Sequence, residues 1–144
     1  MSNGAPKDRS RSLILAGGGI KVAYQAGCLQ VLLDEANLHF DHVDGASGGC
    51  FNAAMLCSGM SGTQIADAWR NLNPFDMIAF NTREYDKLMW ARSIGTLDKL
   101  RSHVFPAWGI DFEKIRRCTS PRATFNVYNF SNKRLEVIDN DAMD

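Results

Sequence analysis

Short apolar runs alternate with longer stretches of helical periodicity along this chain. Ser12-Leu13-Ile14-Leu15-Ala16 is apolar and ends in glycines, which predicts a buried strand of a parallel sheet. From Ile20 to Ala36 the spacing turns helical, with Val22, Ala26, Leu29, Leu33 and Ala36 three or four apart, and Asn37-Leu38 stops it. Asp41 to Asp44 is a second short strand, so strand, helix and strand form a crossover and the strands are parallel. Phe51 to Cys57 predicts a buried helix. Ser61-Gly62-Thr63-Gln64 reads as the cap of another, running to about Leu72 with Ile65, Ala68 and Trp69 inward, until Asn73-Pro74 breaks it.

The middle is less regular. Helical pieces are expected around Tyr85–Trp90 and Thr96–His103, then an aromatic loop Val104–Gly109. Asp111 caps a helix Phe112–Cys118, whose Lys114, Arg116 and Arg117 suit the helix dipole. Thr124–Phe130 and Lys133–Ile138 are β-rich and separated by Ser131-Asn132, which predicts a hairpin. Residues 1–11 are polar and expected as a disordered tail, and residues 12–144 as the front part of a larger domain.

Composition narrows the class. The 144 residues carry 16 basic and 16 acidic side chains, so no basic field points to nucleic acid. Cys28, Cys50, Cys57 and Cys118 show no C-x-x-C spacing, and three lie in or beside predicted buried helices, where free thiols act as small apolar groups. A reduced, cytoplasmic compartment is the expectation. The first residues lack the apolar core of a signal peptide, and no run is long enough to span a bilayer. Contact with a membrane surface stays open.

The candidate chemistry sits at two glycine-rich turns. Gly45-Ala46-Ser47-Gly48-Gly49 contains G-x-S-x-G, a nucleophile elbow: a strand turns sharply into a helix and leaves the Ser47 hydroxyl exposed at the bend. The bland alternative is a glycine-rich turn without chemistry. Gly17-Gly18-Gly19-Ile20-Lys21 follows the first strand and opens the first helix. If the two strands are neighbours, both turns lie at the same sheet end, where open α/β sheets bind ligands. N–H groups of Gly17, Gly18, Gly19 and Gly48 could then hold the oxyanion formed when Ser47 attacks a carbonyl. The same loop could equally cradle a phosphate. A dinucleotide fingerprint would need glycine where Val22 stands, and no G-K-[S/T] of an ATP loop follows.

These residues resemble a known family. Gly17-Gly18-Gly19-Ile20-Lys21, Gly27-Cys28-Leu29 and Asp44-Gly45-Ala46-Ser47-Gly48-Gly49 look like the N-terminal half of a patatin-like phospholipase domain, most strongly over residues 12–72. The family's loop, commonly G-G-G-x-[R/K]-G, departs here only at Val22. The resemblance implies a three-layer α/β/α fold with a mainly parallel sheet, expected to be incomplete at the C-terminus. It implies a serine–aspartate dyad acting on a lipid or acyl-ester substrate, with no metal and no organic cofactor. Lys21 would help hold an anionic or phosphate-bearing substrate, or be a solvated first-turn lysine. The family aspartate normally lies in a D-G-G or D-G-A motif well after the serine. The single D-G-A, Asp44-Gly45-Ala46, overlaps the elbow and cannot turn back onto Ser47, so the dyad aspartate is expected outside this chain. The 144 residues alone are accordingly expected to be a poor enzyme.

Three other readings carry less weight. Asp98 and His103 follow Ser47 in triad order, but too few strands precede the elbow for an α/β-hydrolase. His39 and His42 lack a third metal ligand. Phe75, Met77, Ile78 and Phe80, with Phe105 and Trp108, could form a lipid-facing lip, though core packing explains such residues more often. The alternative to a serine-dependent acyl hydrolase is a non-catalytic lipid- or phosphate-binding module that keeps the elbow as structure.

Overall fold

The computed structural model describes residues 10–73, 79–80, 95–96 and 98–143. Residues 1–9 of the expected tail, the helical piece at 85–90 and Phe75, Met77 and Ile78 of the expected lip lie outside them. The Arg11 N–H already donates to Asp41 Oδ2 at 2.8 Å.

β1 (Ser12–Leu15) and β2 (His42–Ala46) pair in parallel, with Leu13 opposite Val43 and Leu15 opposite Gly45. β2 pairs in parallel with β5 (Arg122–Asn129), and β5 pairs antiparallel with β6 (Arg134–Asp139), giving the order β1-β2-β5-β6. The expected crossover and hairpin are both present. A second, two-stranded antiparallel sheet joins β3 (Ala79–Phe80) to β4 (Gly95–Thr96).

Alternation along the strands sorts the two faces. Leu15, Val43, Ala123 and Phe125 point to one face and are buried. They share a core with Val22, Ala26 and Leu29 of the first helical run, Ala53 and Met55 of α2 (Gly49–Cys57), and Ile65 and Trp69 of α3 (Gly62–Arg70). The other face carries Ile14, 76% exposed, and Val137, 57% exposed. The architecture is α/β with a mainly parallel sheet, and among the described residues the helices form one layer, on one face of that sheet.

The first helical run is not one regular helix. A 3₁₀ turn (Gly19–Val22) leads into α1 (Ala23–Leu29), which widens into a π-helical segment (Gln30–Glu35). The wider turn advances each side chain by less angle, so the apolar stripe drifts off the core. Leu33 is half-buried and still packs against the core as expected, whereas Ala36, also expected inward, is exposed; Cys28, on α1, is exposed too. Asn37, at a φ of 52°, ends the run as a left-handed stop.

The caps fall where the sequence placed them. Ser61 and Gln64 form a reciprocal box: Gln64 N–H donates to Ser61 Oγ at 3.2 Å, and Ser61 N–H to Gln64 Oε1 at 2.9 Å. Asp111 accepts from Glu113 and Lys114 N–H groups at the start of α5 (Phe112–Arg117). The expected aromatic loop is instead helical through a π turn (Leu100–Val104) and α4 (Phe105–Ala107). Pro106 sits where the π turn passes into α4, at the second residue of that three-residue segment. Trp108 is core, its ring 4.8 Å from that of Trp69 and 5.9 Å from that of Phe51.

Candidate active site

Ser47 stands between the end of β2 and the start of α2, exposed, with a φ of 51°. That left-handed angle is strained for a residue with a side chain, typically by about 1–2 kcal/mol. The surrounding packing holds it. A Cβ on Gly49 would lie 2.1 Å from the Leu15 carbonyl oxygen, so α2 starts in direct backbone contact with the end of β1. A Cβ on Gly48 would lie 2.8 Å from the Gly19 carbonyl oxygen and 3.0 Å from Val22 Cγ2. A Cβ on Gly17 would lie 2.9 Å from Ser47 Cβ. The two glycine-rich turns therefore touch each other at the same end of the parallel strands.

The backbone there has donors to spare. Gly19, at a φ of 56°, opens the 3₁₀ turn, and Lys21 N–H donates to Gly18 O at 3.2 Å. Cys50 N–H bonds Ser47 O at 3.0 Å and Phe51 N–H bonds Gly48 O at 3.2 Å, so the elbow enters α2 through a tight turn. N–H groups ahead of that turn have no intrahelical partner by construction, and the positive end of the α2 dipole adds to them.

No carboxylate supports the Ser47 hydroxyl: among the described residues its side chain makes no hydrogen bond. Asp44 is otherwise engaged. Its Oδ1 accepts from the Thr124 hydroxyl and, at 2.8 Å, from Asn126 Nδ2, which also donates to Gly45 O at 3.2 Å. Asp44 and burial together push the Cys50 thiol up from its ordinary range, burial being the larger cause, so this neighbour of the elbow stays a neutral thiol. Lys21 is exposed beside the loop and makes no ion pair among the described residues.

The other sequence candidates lie apart from this site. His103 is exposed, contacts Ser102 Oγ through Nδ1, and lines a groove with Met60, Gln64 and Trp108 that Ser47 does not line. His42 Nε2 meets Thr124 Oγ1 at 3.3 Å, and no group of three metal-ligating side chains exists among the described residues. No helix among them is long and apolar enough to cross a membrane.

A model of the patatin-like phospholipase family matches residues 13–144. The chain belongs to the patatin-like phospholipase family. Neither the curated proteins nor the solved structures returned a match. Membership in this patatin-like family makes the chain part of a lipid hydrolase family, and a lipid is the substrate class that goes with it. The match extends past the elbow through the β5–β6 hairpin, beyond the stretch where the motifs were densest.

Two polar residues near the site carried no distinctive sequence signal. Asn52, one turn into α2, and Gln25 in α1 are joined by a hydrogen bond at 3.2 Å. A single amide inside the apolar stretch Phe51–Cys57 was the only hint of the first.

Proposed function

We propose that this patatin-like protein hydrolyses a lipid acyl ester through an acyl-enzyme on Ser47. The observation that carries the reading is the exposed Ser47 at a φ of 51°, packed against Gly17 of the glycine-rich loop. Ser47 Oγ attacks the ester carbonyl while an aspartate outside the described residues takes its proton. The carbonyl π bond opens and its oxygen becomes the anion. N–H groups near Gly18, Gly19 and Gly48 stabilise that charge, each donor worth roughly 3–4 kcal/mol in a water-poor site. The C–O bond of the ester then breaks and the alcohol leaves with the proton. Water, deprotonated by the same base, attacks the acyl-Ser47 ester, and the fatty acid departs as Ser47 regains its hydrogen. Lys21 would meet an anionic head group. The steps call for no metal and no organic cofactor, and a lipid substrate brings the protein to a membrane surface.

A second reading is supported by the lack of a hydrogen-bonded base at Ser47 among the described residues: a module that binds lipid or phosphate at the glycine loop without turnover. Hydrolysis of a p-nitrophenyl ester by the full-length gene product and by Ser47→Ala separates the two. Turnover lost in the folded variant supports the enzyme. Retained turnover removes Ser47 from the chemistry, and absent turnover in both favours the binding module.

A further inference from the structure

An oxyanion hole built from two separate turns works only if the turns hold a fixed distance, within about 0.5 Å. Gly48 packs on Gly19 and Val22, but van der Waals contact is not directional and restrains the glycine loop, Gly17 to Lys21, less than hydrogen bonds across its ends would. A chain of amides supplies such bonds. Asn52 is fully buried, and its Nδ2 donates to Val22 O at 3.1 Å and to Gln25 Oε1 at 3.2 Å. Gln25 Nε2 then donates to Ala16 O at 2.7 Å. Ala16 is the residue that enters the loop, and Val22 follows its last residue. One side chain of the elbow helix thus reaches both ends of the loop, one directly and one through Gln25.

The direction of this chain is fixed from outside. Trp69 Nε1 donates to Asn52 Oδ1 at 2.7 Å, and an indole N–H can only donate. Asn52 Oδ1 must therefore face α3, which turns both Nδ2 hydrogens toward Val22 and Gln25. The Ala16 carbonyl can only accept, which orients Gln25 in the same sense. The two amide flips agree, and every donor and acceptor that Asn52 brings into the core has a use.

We propose that Asn52 and Gln25 form an amide clamp that fixes the glycine loop against the elbow helix, acting as positioning residues for the oxyanion donors. The clamp rests on the reading of Ser47 as nucleophile for its effect on rate, but not for its effect on the loop. Gln25 is only half-buried, so Gln25→Met removes both of its amide contacts at little cost to folding. Backbone amide exchange of Gly17–Lys21 in the full-length protein should then quicken at least tenfold, with the melting temperature close to wild type. The kcat for an ester substrate should fall about tenfold while KM moves less than twofold, since misplaced donors act on the transition state. Asn52→Asp keeps shape and still accepts from Trp69, but its buried carboxylate cannot donate and faces the Val22 carbonyl, so it should quicken loop exchange and also lower the melting temperature. Unchanged loop exchange in a folded Gln25→Met variant overturns the clamp whatever the rate does. Faster exchange with an unchanged kcat overturns its role in positioning. If Ser47→Ala retains hydrolysis, the nucleophile reading fails, and loop exchange still decides the clamp.

Discussion

A methyl carbon on Gly17 would lie 2.9 Å from the Cβ of Ser47 and 3.6 Å from its Oγ. The first glycine of the loop is therefore the floor against which the candidate nucleophile rests. Gly18, one residue on, has a φ of 179°, outside the left-handed region, and a Cβ there would meet nothing closer than Val22 Cγ1 at 3.6 Å. Sequence alone makes these two glycines look equivalent; the packing separates them.

Gly17→Ala is expected to displace Ser47 and lower kcat by about 100-fold, the order expected for misplacement near 1 Å. Gly18→Ala is expected to fold normally, and any loss should appear in kcat rather than KM, through crowding of the oxyanion. Steady-state kinetics on both variants check this. A Gly18→Ala variant more damaged than Gly17→Ala would contradict the assignment of floor and donor.

The cysteines provide an independent check on the packing. Burial, with the neighbouring Cys118 thiol, pushes Cys57 up to about 12, whereas Cys28 is exposed on α1. Only the thiolate reacts with an alkylating agent, and at pH 8 a thiol of that pKa is about one part in ten thousand ionised. Iodoacetamide at pH 8 should modify Cys28 first and leave Cys57 intact until the protein unfolds. Mass mapping that finds Cys57 modified as fast as Cys28 would show that the end of α2 is not packed as described.

Much of the fold was legible because its signals are local. Leu13–Leu15 is a short apolar run that leads into glycines, Gly45–Gly49 marks the end of the second strand, and Ser61 with Gln64 and Asp111 are caps read within one turn. The exceptions are departures from a single helical period. The π segment at Gln30–Glu35 and the helical turn through Pro106 break the rule that apolar spacing or a proline would suggest.

The candidate site was legible where chemistry imposes a pattern on neighbouring residues, as at Gly45–Gly49 and Gly17–Gly19. It was not legible where the partner is distant in sequence. Asn52 meets Val22 across 30 positions, and Asn126 reaches Asp44 across 82. A lone amide in an apolar helix has no periodicity of its own, and only the fold reveals what it bonds.

The central claim is that Ser47 is the nucleophile, and covalent labelling tests it most directly. The full-length gene product, treated with a fluorophosphonate and digested, should carry one phosphonyl adduct, on the peptide containing Ser47. Ser47→Ala, folded by circular dichroism, should carry none. An adduct on a different residue, or a folded Ser47→Ala variant labelled as strongly as wild type, would contradict the account.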